Sequence, residues 1–132
     1  MKITADTNVL ARLVMDDDTR QATRAARALE AASLVAVPVH ALCELCWVLE
    51  RGYGVTKAEV ADAVQDVLNI AKVQTDRPAA QAGLALLRVG GDFADGVMAY
   101  GGRFLGAETF VSFDRKAVKL LNKLGEPAQL VD

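Results

Sequence analysis

The sequence predicts an α/β fold with a short, mainly parallel sheet flanked by helices. Short apolar runs, which are candidates for buried strands, alternate along the chain with longer stretches of helical periodicity. This alternation is typical of β–α–β units, whose strands run parallel. A length of 132 residues fits one compact domain, so we expect residues 1–132 to form a single domain.

The first predicted elements are a strand and two helices. Residues 2–5 form a short, partly β-branched run that fits a buried strand. A threonine or asparagine side chain can cap the helix 7–15 that follows. The acidic segment 16–19 is expected to be a solvated turn that leads into the next helix. Residues 20–32 are rich in alanine, with apolar positions at helical spacing, and predict that helix.

A proline separates the second strand from the third helix. Residues 34–37 are a short apolar strand, and the proline after them suits the first turn of the helix 39–51. A Thr-x-x-Glu capping box then begins the helix 57–70. Residues 72–74 fit a short strand.

Glycines divide the C-terminal part of the chain. The helix 78–89 ends at a Gly-Gly pair, and the helix 92–105 contains three further glycines as weak points. Residues 108–112 fit a strand, 115–123 a helix and 129–131 a last strand.

The composition excludes several functional classes. The net charge is −2, so the chain lacks the basic character of proteins that hold nucleic acid through phosphate contacts alone. Two cysteines do not make a secreted disulfide scaffold. Asp6 lies where a signal peptide would be apolar, and no apolar run approaches the ~20 residues that span a bilayer. We therefore expect a cytoplasmic protein with no membrane partner.

Four segments place carboxylates in an otherwise apolar context. Asp6 follows the first predicted strand, and Asp114 follows the fourth. Glu44 lies on the third predicted helix, whereas Asp92 and Asp95 share one face at the start of a later helix. Ligands of parallel sheets bind beyond the carboxyl ends of the strands, which is where Asp6 and Asp114 lie.

Carboxylates that converge in a fold require a cation. Two of them ~5 Å apart at an effective dielectric of ~20 repel by about 3 kcal/mol, which raises one pKa by about two units. A divalent metal relieves this repulsion, and ligands that are all oxygen suit Mg²⁺ or Mn²⁺. Nucleases use such carboxylate clusters to hold metal for phosphodiester cleavage.

Each acid also has a purely structural interpretation. Asp6, Asp92 and Asp114 could cap the helices that follow them. Glu44 could be an exposed helical glutamate, although the helical wheel places it beside the apolar stripe, at the margin of the core. Glu50 points away from that stripe and is expected to be solvated.

Four motifs occur in a characteristic order along nearly the whole chain. They are D-T-N-V-L at 6–10, C-E-L-C-W-V-L at 43–49 with R-G-Y-G after it, D-F-A-D-G-V-M-A at 92–99, and V-S-F-D at 111–114. In order and spacing they resemble the PIN-domain family, and within it the VapC-type toxins of type II toxin–antitoxin systems. The resemblance implies a PIN-like α/β/α sandwich and a metal-dependent endoribonuclease that acts as the toxin.

The resemblance also implies a role for each acid. Asp6, Glu44 and Asp95 would be the core catalytic and metal-binding acids, and Asp114 would complete the quartet, with Mg²⁺ or Mn²⁺ as cofactor. Three further residues would support the site: Asn8, Asp92 and Ser112. The implied partners are an RNA substrate, a second copy in a homodimer and a VapB-like antitoxin. One departure is Gly96, which stands where the family more often has a better helix former.

Two other functions remain open. The first is a phosphohydrolase with an aspartate nucleophile at Asp6, although such enzymes usually carry a second acid two residues on, where this chain has Asn8. The second is a non-catalytic PIN-like interaction domain that binds metal poorly, against which the complete set of four acids argues.

Other polar residues have a functional and a structural interpretation. Cys43 and Cys46 form a C-x-x-C without a second ligand pair, so we interpret them as buried or half-buried thiols. Four basic residues near the acidic segments could meet RNA phosphates or simply be solvated: Arg12, Arg103, Arg115 and Lys116.

Overall fold

Short parallel strands organise the chain. The computed structural model describes residues 1–15 and 18–131, and it divides into two units, Met1–Asp76 and Arg77–Asp132. The α/β class and the parallel strand pairing are confirmed, with the strands hydrogen-bonded as one set of three and one set of two. Within the described ranges, no helix is long and apolar enough to cross a membrane.

The first unit is built on a three-stranded sheet in which β2 (Leu34–Ala36) lies between β1 (Lys2–Thr4) and β3 (Val73–Gln74). Val35, the middle residue of β2, pairs with Ile3 on one side and with Val73 on the other, and it is fully buried. A strand with neighbouring strands on both edges and helices nearby is buried on both faces. Its sequence is therefore a continuous apolar run, as in β2. The elements of this unit are β1 (Lys2–Thr4), α1 (Thr7–Met15), α2 (Thr19–Ala31), β2 (Leu34–Ala36), α3 (Val39–Gly52), α4 (Lys57–Leu68) and β3 (Val73–Gln74).

Helices α2 and α4 begin at capping side chains, whereas α1 is capped by Asp6 and not by the predicted threonine or asparagine. Asp18 Oδ1 accepts a hydrogen bond from Gln21 N at the start of α2, and Thr56 and Glu59 form the complete capping box of α4. The Asp16-Asp17 part of the predicted turn lies outside the described residues. Helix α1 packs against α2 and α3, and α3 packs against α4. The apolar stripe of α3 is fully buried, as predicted, at Leu42, Leu45 and Leu49.

The second unit pairs two helices closely and carries a two-stranded sheet. Its elements are α5 (Arg77–Arg88), α6 (Phe93–Phe104), β4 (Phe110–Ser112), α7 (Arg115–Lys123) and β5 (Ala128–Leu130). Leu86, Ala99 and Leu121 form its buried centre, and Phe110 packs against them. Helix α7 packs on both strands.

Glycine makes the close approach of α5 and α6 possible. A Cβ added at Gly96 would lie 2.5 Å from the carbonyl oxygen of Ala82 and 2.9 Å from Gly83 Cα, both of which are backbone atoms of α5. A Cβ added at Gly83 would lie 2.7 Å from the ring of Phe93, which is 1% exposed. The departure at Gly96 therefore has a packing reason: only a residue without a side chain fits between the two helices.

Candidate functional site

The first acidic cluster lies where β1 ends and α1 begins. Asp6 follows β1, and its Oδ1 accepts a hydrogen bond from Val9 N at 3.0 Å, so it caps α1. The next residue, Thr7, donates its hydroxyl hydrogen to Glu44 Oε2 at 2.7 Å. This bond joins residues 37 positions apart and ties the start of α1 to the middle of α3. The sequence did not predict Thr7 as a site residue, and its only signal was its position directly after Asp6.

The surroundings of the two α3 glutamates differ from the prediction. Glu44 is exposed, rather than placed at the margin of the core, and the Thr7 hydroxyl orients its carboxylate. Glu50, expected to be solvated, is half-buried and pairs with Lys57 Nζ at 2.8 Å. A helical wheel considers one helix alone, and Lys57 comes from the start of α4, which packs on α3.

The second acidic cluster belongs to the other unit. It is a cavity of about 110 Å³ lined by Asp92, Asp95, Asp114 and Lys116, together with Gly90, Gly91 and Ala117. Asp92 is the N-cap residue of α6 but makes no capping hydrogen bond with its side chain, and Asp95 lies in the first turn of that helix. Asp114 is the N-cap residue of α7, and its Oδ1 accepts from Ala117 N at 3.1 Å. Two helix starts therefore bring three carboxylates to one cavity.

The fold makes ionisation of the Asp95 carboxyl less favourable than in an ordinary aspartate, because it raises its pKa. Its half-buried position raises the pKa of its carboxyl above the ordinary aspartate value, and the negative charges of Asp92 and Asp114 raise it further. The N-terminal dipole of α6 favours a negative charge in its first turn by about 0.3–1 kcal/mol. Since the pKa is raised, burial and like-charge repulsion outweigh that dipole, and a cation in the cavity would remove the conflict.

Ser112 holds the turn that presents Asp114. The Ser112 Oγ accepts a hydrogen bond from Asp114 N at 3.0 Å, directly after β4. This serine thus orients the backbone of an acidic residue, and its supporting role at a metal site stays a prediction. Asn8, another predicted support, is exposed in the first turn of α1 and lines a groove with Arg12 and Arg24.

Helix capping by Asp6 and Asp114 agrees with their structural interpretation. Each capping bond engages the Oδ1 atom of its carboxylate. A carboxylate has about four lone-pair sites on two oxygens, so capping does not exhaust what either side chain can bind. The caps fix both carboxylates in place and are compatible with a ligand role.

The four basic residues that could meet RNA phosphates differ in the contacts that they make. Arg103 Nε forms an ion pair with Glu126 Oε2 at 3.0 Å, and Arg12 Nη1 donates to the Tyr53 hydroxyl at 3.3 Å. Lys116 lines the acidic cavity, where its ammonium group could meet a phosphate beside the carboxylates. Arg115 is exposed at the start of α7.

The cysteines are not suited to metal or nucleophilic chemistry. Cys46 is buried, and burial raises the pKa of its thiol to about 12. Cys43 is half-buried, and burial raises its pKa as well. Thiols of raised pKa supply little of the thiolate that binds metal or attacks a substrate. The interpretation of Cys43 and Cys46 as buried or half-buried thiols is confirmed.

The acidic clusters fit a hard divalent cation by donor chemistry. Their donors are carboxylate and hydroxyl oxygens, the type that Mg²⁺ and Mn²⁺ prefer. Among residues 1–15 and 18–131, there is no group of three or more acidic, histidine or cysteine side chains that could hold a metal ion. Mg²⁺ does not require one, because it usually keeps several waters and binds through one or two carboxylates plus substrate phosphates.

Comparison with known proteins gives one family match. The model of the family described as PIN domain matches residues 3–122 and so spans both units. The matched range contains all the acids of both clusters. No curated protein matches the chain.

Proposed function

The chain belongs to the PIN-domain family, and from that membership we propose that it is a metal-dependent endoribonuclease, the toxin of a toxin–antitoxin module. PIN domains are typically metal-dependent nucleases and usually bind divalent metal ions. The observation that carries the proposal is the acidic cavity, in which Asp92 and Asp114 raise the pKa of half-buried Asp95. In an enzyme that binds Mg²⁺ or Mn²⁺, the ion would offset the repulsion between these carboxylates.

The proposed metal-binding acids are Asp6 and Glu44 in the first cluster and Asp95 and Asp114 in the second. The bound ion would supply a water of lowered pKa as nucleophile and would offset the charge that develops on the phosphate. Thr7 holds Glu44 in one orientation, and the capping bonds of Asp6 and Asp114 fix their carboxylates. A ligand that is already positioned loses less conformational entropy when the metal binds.

Other residues of the proposed site support these four. Ser112 orients Asp114 through its backbone, and Asp92 adds a negative charge beside Asp95. Asn8 lies two residues after Asp6, where its amide could hold a water or a phosphate oxygen. Lys116 is the cation of the cavity and would attract the substrate's phosphate. This local attraction is needed because the chain as a whole carries a net charge of −2.

The proposed partners follow from the proposed subfamily. They are an RNA substrate, a second copy of the chain and a VapB-like antitoxin that blocks the acidic site. A toxin of this kind would act in the cytoplasm. Binding partners present complementary charges, so an antitoxin segment carrying Arg or Lys would complement the carboxylates.

Cleavage of RNA in a metal-dependent reaction tests the proposal. Purified protein incubated with total RNA is expected to produce discrete cuts with Mg²⁺ or Mn²⁺ and none with excess chelator. Cut sites are mapped by sequencing of the new ends. Metal-independent cutting would contradict the metal-dependent mechanism. Release of inorganic phosphate from small phosphomonoesters, with a phospho-aspartate trapped at Asp6, would favour the phosphohydrolase alternative.

A further inference from the structure

One face of α3 carries four exposed side chains in a row. They follow one another along the helix at spacings of four, three and four residues: His40, Glu44, Trp47 and Arg51. At about 100° per residue, all four fall within about 60° of one another around the helix axis. The row therefore begins with an imidazole, continues through a proposed metal-binding carboxylate and an indole, and ends with a guanidinium.

Trp47 is the unusual member of this row. It is the single tryptophan of the chain, and 62% of it is exposed. Residues on its helix face are charged or polar rather than apolar, as Glu44 and Arg51 show. Trp47 lies one turn after Glu44, about 4.5 Å along the helix axis at 1.5 Å per residue. A largely exposed indole thus stands beside the proposed metal ligand.

We propose that Trp47 stacks on an unpaired base of the RNA, next to the phosphate that is cut. A nucleobase has two flat faces, and stacking on an aromatic side chain is tolerant of sequence. Arg51, about 6 Å further along the axis, contacts a phosphate of the same strand. The base must be unpaired, because bases inside a duplex already stack on their neighbours.

The polar surroundings of Trp47 favour RNA over a protein partner. The centre of a protein–protein interface is depleted in charged residues, whereas a groove that binds single strands combines basic and aromatic side chains. Here an acid and a base flank the indole on the same face of α3. A metal ion held by Glu44 would bring the substrate's phosphate to the same face of α3. The inference rests on the proposed ribonuclease function, since Glu44 links the row to the metal.

The fluorescence of the single tryptophan tests the inference directly. Rapid mixing with a short single-stranded RNA in Mg²⁺, read before cleavage, is expected to quench Trp47 emission in a saturable manner. The same sequence as a blunt duplex is expected to quench it much less. Absence of quenching by the single strand overturns the inference. Emission that changes with protein concentration before RNA is added overturns it as well, because a second copy then covers this face.

Variants at position 47 separate stacking from folding. Trp47→Leu is expected to raise KM for RNA about 10-fold or more, with kcat within about threefold, while Trp47→Phe stays close to wild type because its ring can still stack. The thermal midpoint of both variants should match wild type, since the side chain is exposed. Phe104→Leu, at a residue that is 80% exposed on α6, serves as a control with unchanged KM.

The two proposals can fail separately. Cleavage with an unchanged KM in Trp47→Leu removes the stacking role and leaves the ribonuclease intact. Quenching by single-stranded RNA without any cleavage leaves the stacking role and removes the ribonuclease.

Discussion

Replacing Asp95 with asparagine is expected to abolish RNA cleavage without harming the metal-free fold. The loss of activity should exceed about 100-fold, the upper range for residues that only support a metal ligand. Asparagine has nearly the same shape but carries no charge, so it offers the ion a weaker ligand. Single-turnover cleavage of a mapped RNA site measures the effect.

The stability of the same variant is expected to be equal to wild type or higher in chelator. Burial and the charges of Asp92 and Asp114 raise the pKa of Asp95, so the folded protein binds its proton more tightly than the unfolded chain does. Metal-free wild type therefore loses stability as the pH rises from about 4 through the raised pKa of Asp95. Asp95→Asn lacks that loss. Thermal midpoints measured in chelator from about pH 4 to pH 7 follow the difference.

A matched substitution controls for the change of residue type. Asp66 is an exposed aspartate on α4, and Asp66→Asn should leave both cleavage and the pH dependence of stability unchanged. Retained cleavage in Asp95→Asn removes this residue from the metal site. A large drop in its metal-free thermal midpoint would mean that Asp95 has a structural role instead.

Replacing Gly96 with alanine is expected to destabilise the second unit. The new Cβ would lie 2.5 Å from the carbonyl oxygen of Ala82, and neither this atom nor Gly83 Cα can move without shifting the α5 backbone. Overpacking of this kind costs about 1–3 kcal/mol or more, which exceeds the ~1 kcal/mol that alanine gains over glycine in a helix. We expect a thermal midpoint lower by several degrees, measured by calorimetry.

Gly101 provides the control on the same helix. A Cβ added there meets nothing within 4 Å, so Gly101→Ala should gain helix propensity without a clash and keep or raise the thermal midpoint. If both variants behave alike, close packing of α5 and α6 is not what requires glycine at position 96.

The secondary structure could be predicted from sequence because its signals are local. The capping box at Thr56 and Glu59, the proline before α3 and the apolar stripe at Leu42, Leu45 and Leu49 each involve residues within one or two turns. The predicted element bounds are confirmed to within about two residues. Helix ends vary by that much between definitions in any protein.

The missed features all depend on contacts between different helices. Thr7 meets Glu44 only after α1 packs on α3, and Lys57 reaches Glu50 only after α4 returns against the same helix. The reason for Gly96 lies on a neighbouring helix, at Ala82. Periodicity and capping rules describe single elements, so they could suggest the acids of the site but not the hydroxyl that orients one of them.

Mn²⁺ binding and its effect on stability test whether the acidic clusters hold a divalent ion. Ligand binding to the native state raises the free energy of unfolding, by about 2.7 kcal/mol at 100 times Kd. Wild type is expected to show a clear rise in thermal midpoint with Mn²⁺, and Asp6→Asn and Asp95→Asn each a smaller one. A rise in both variants equal to that of wild type would contradict metal binding by these carboxylates.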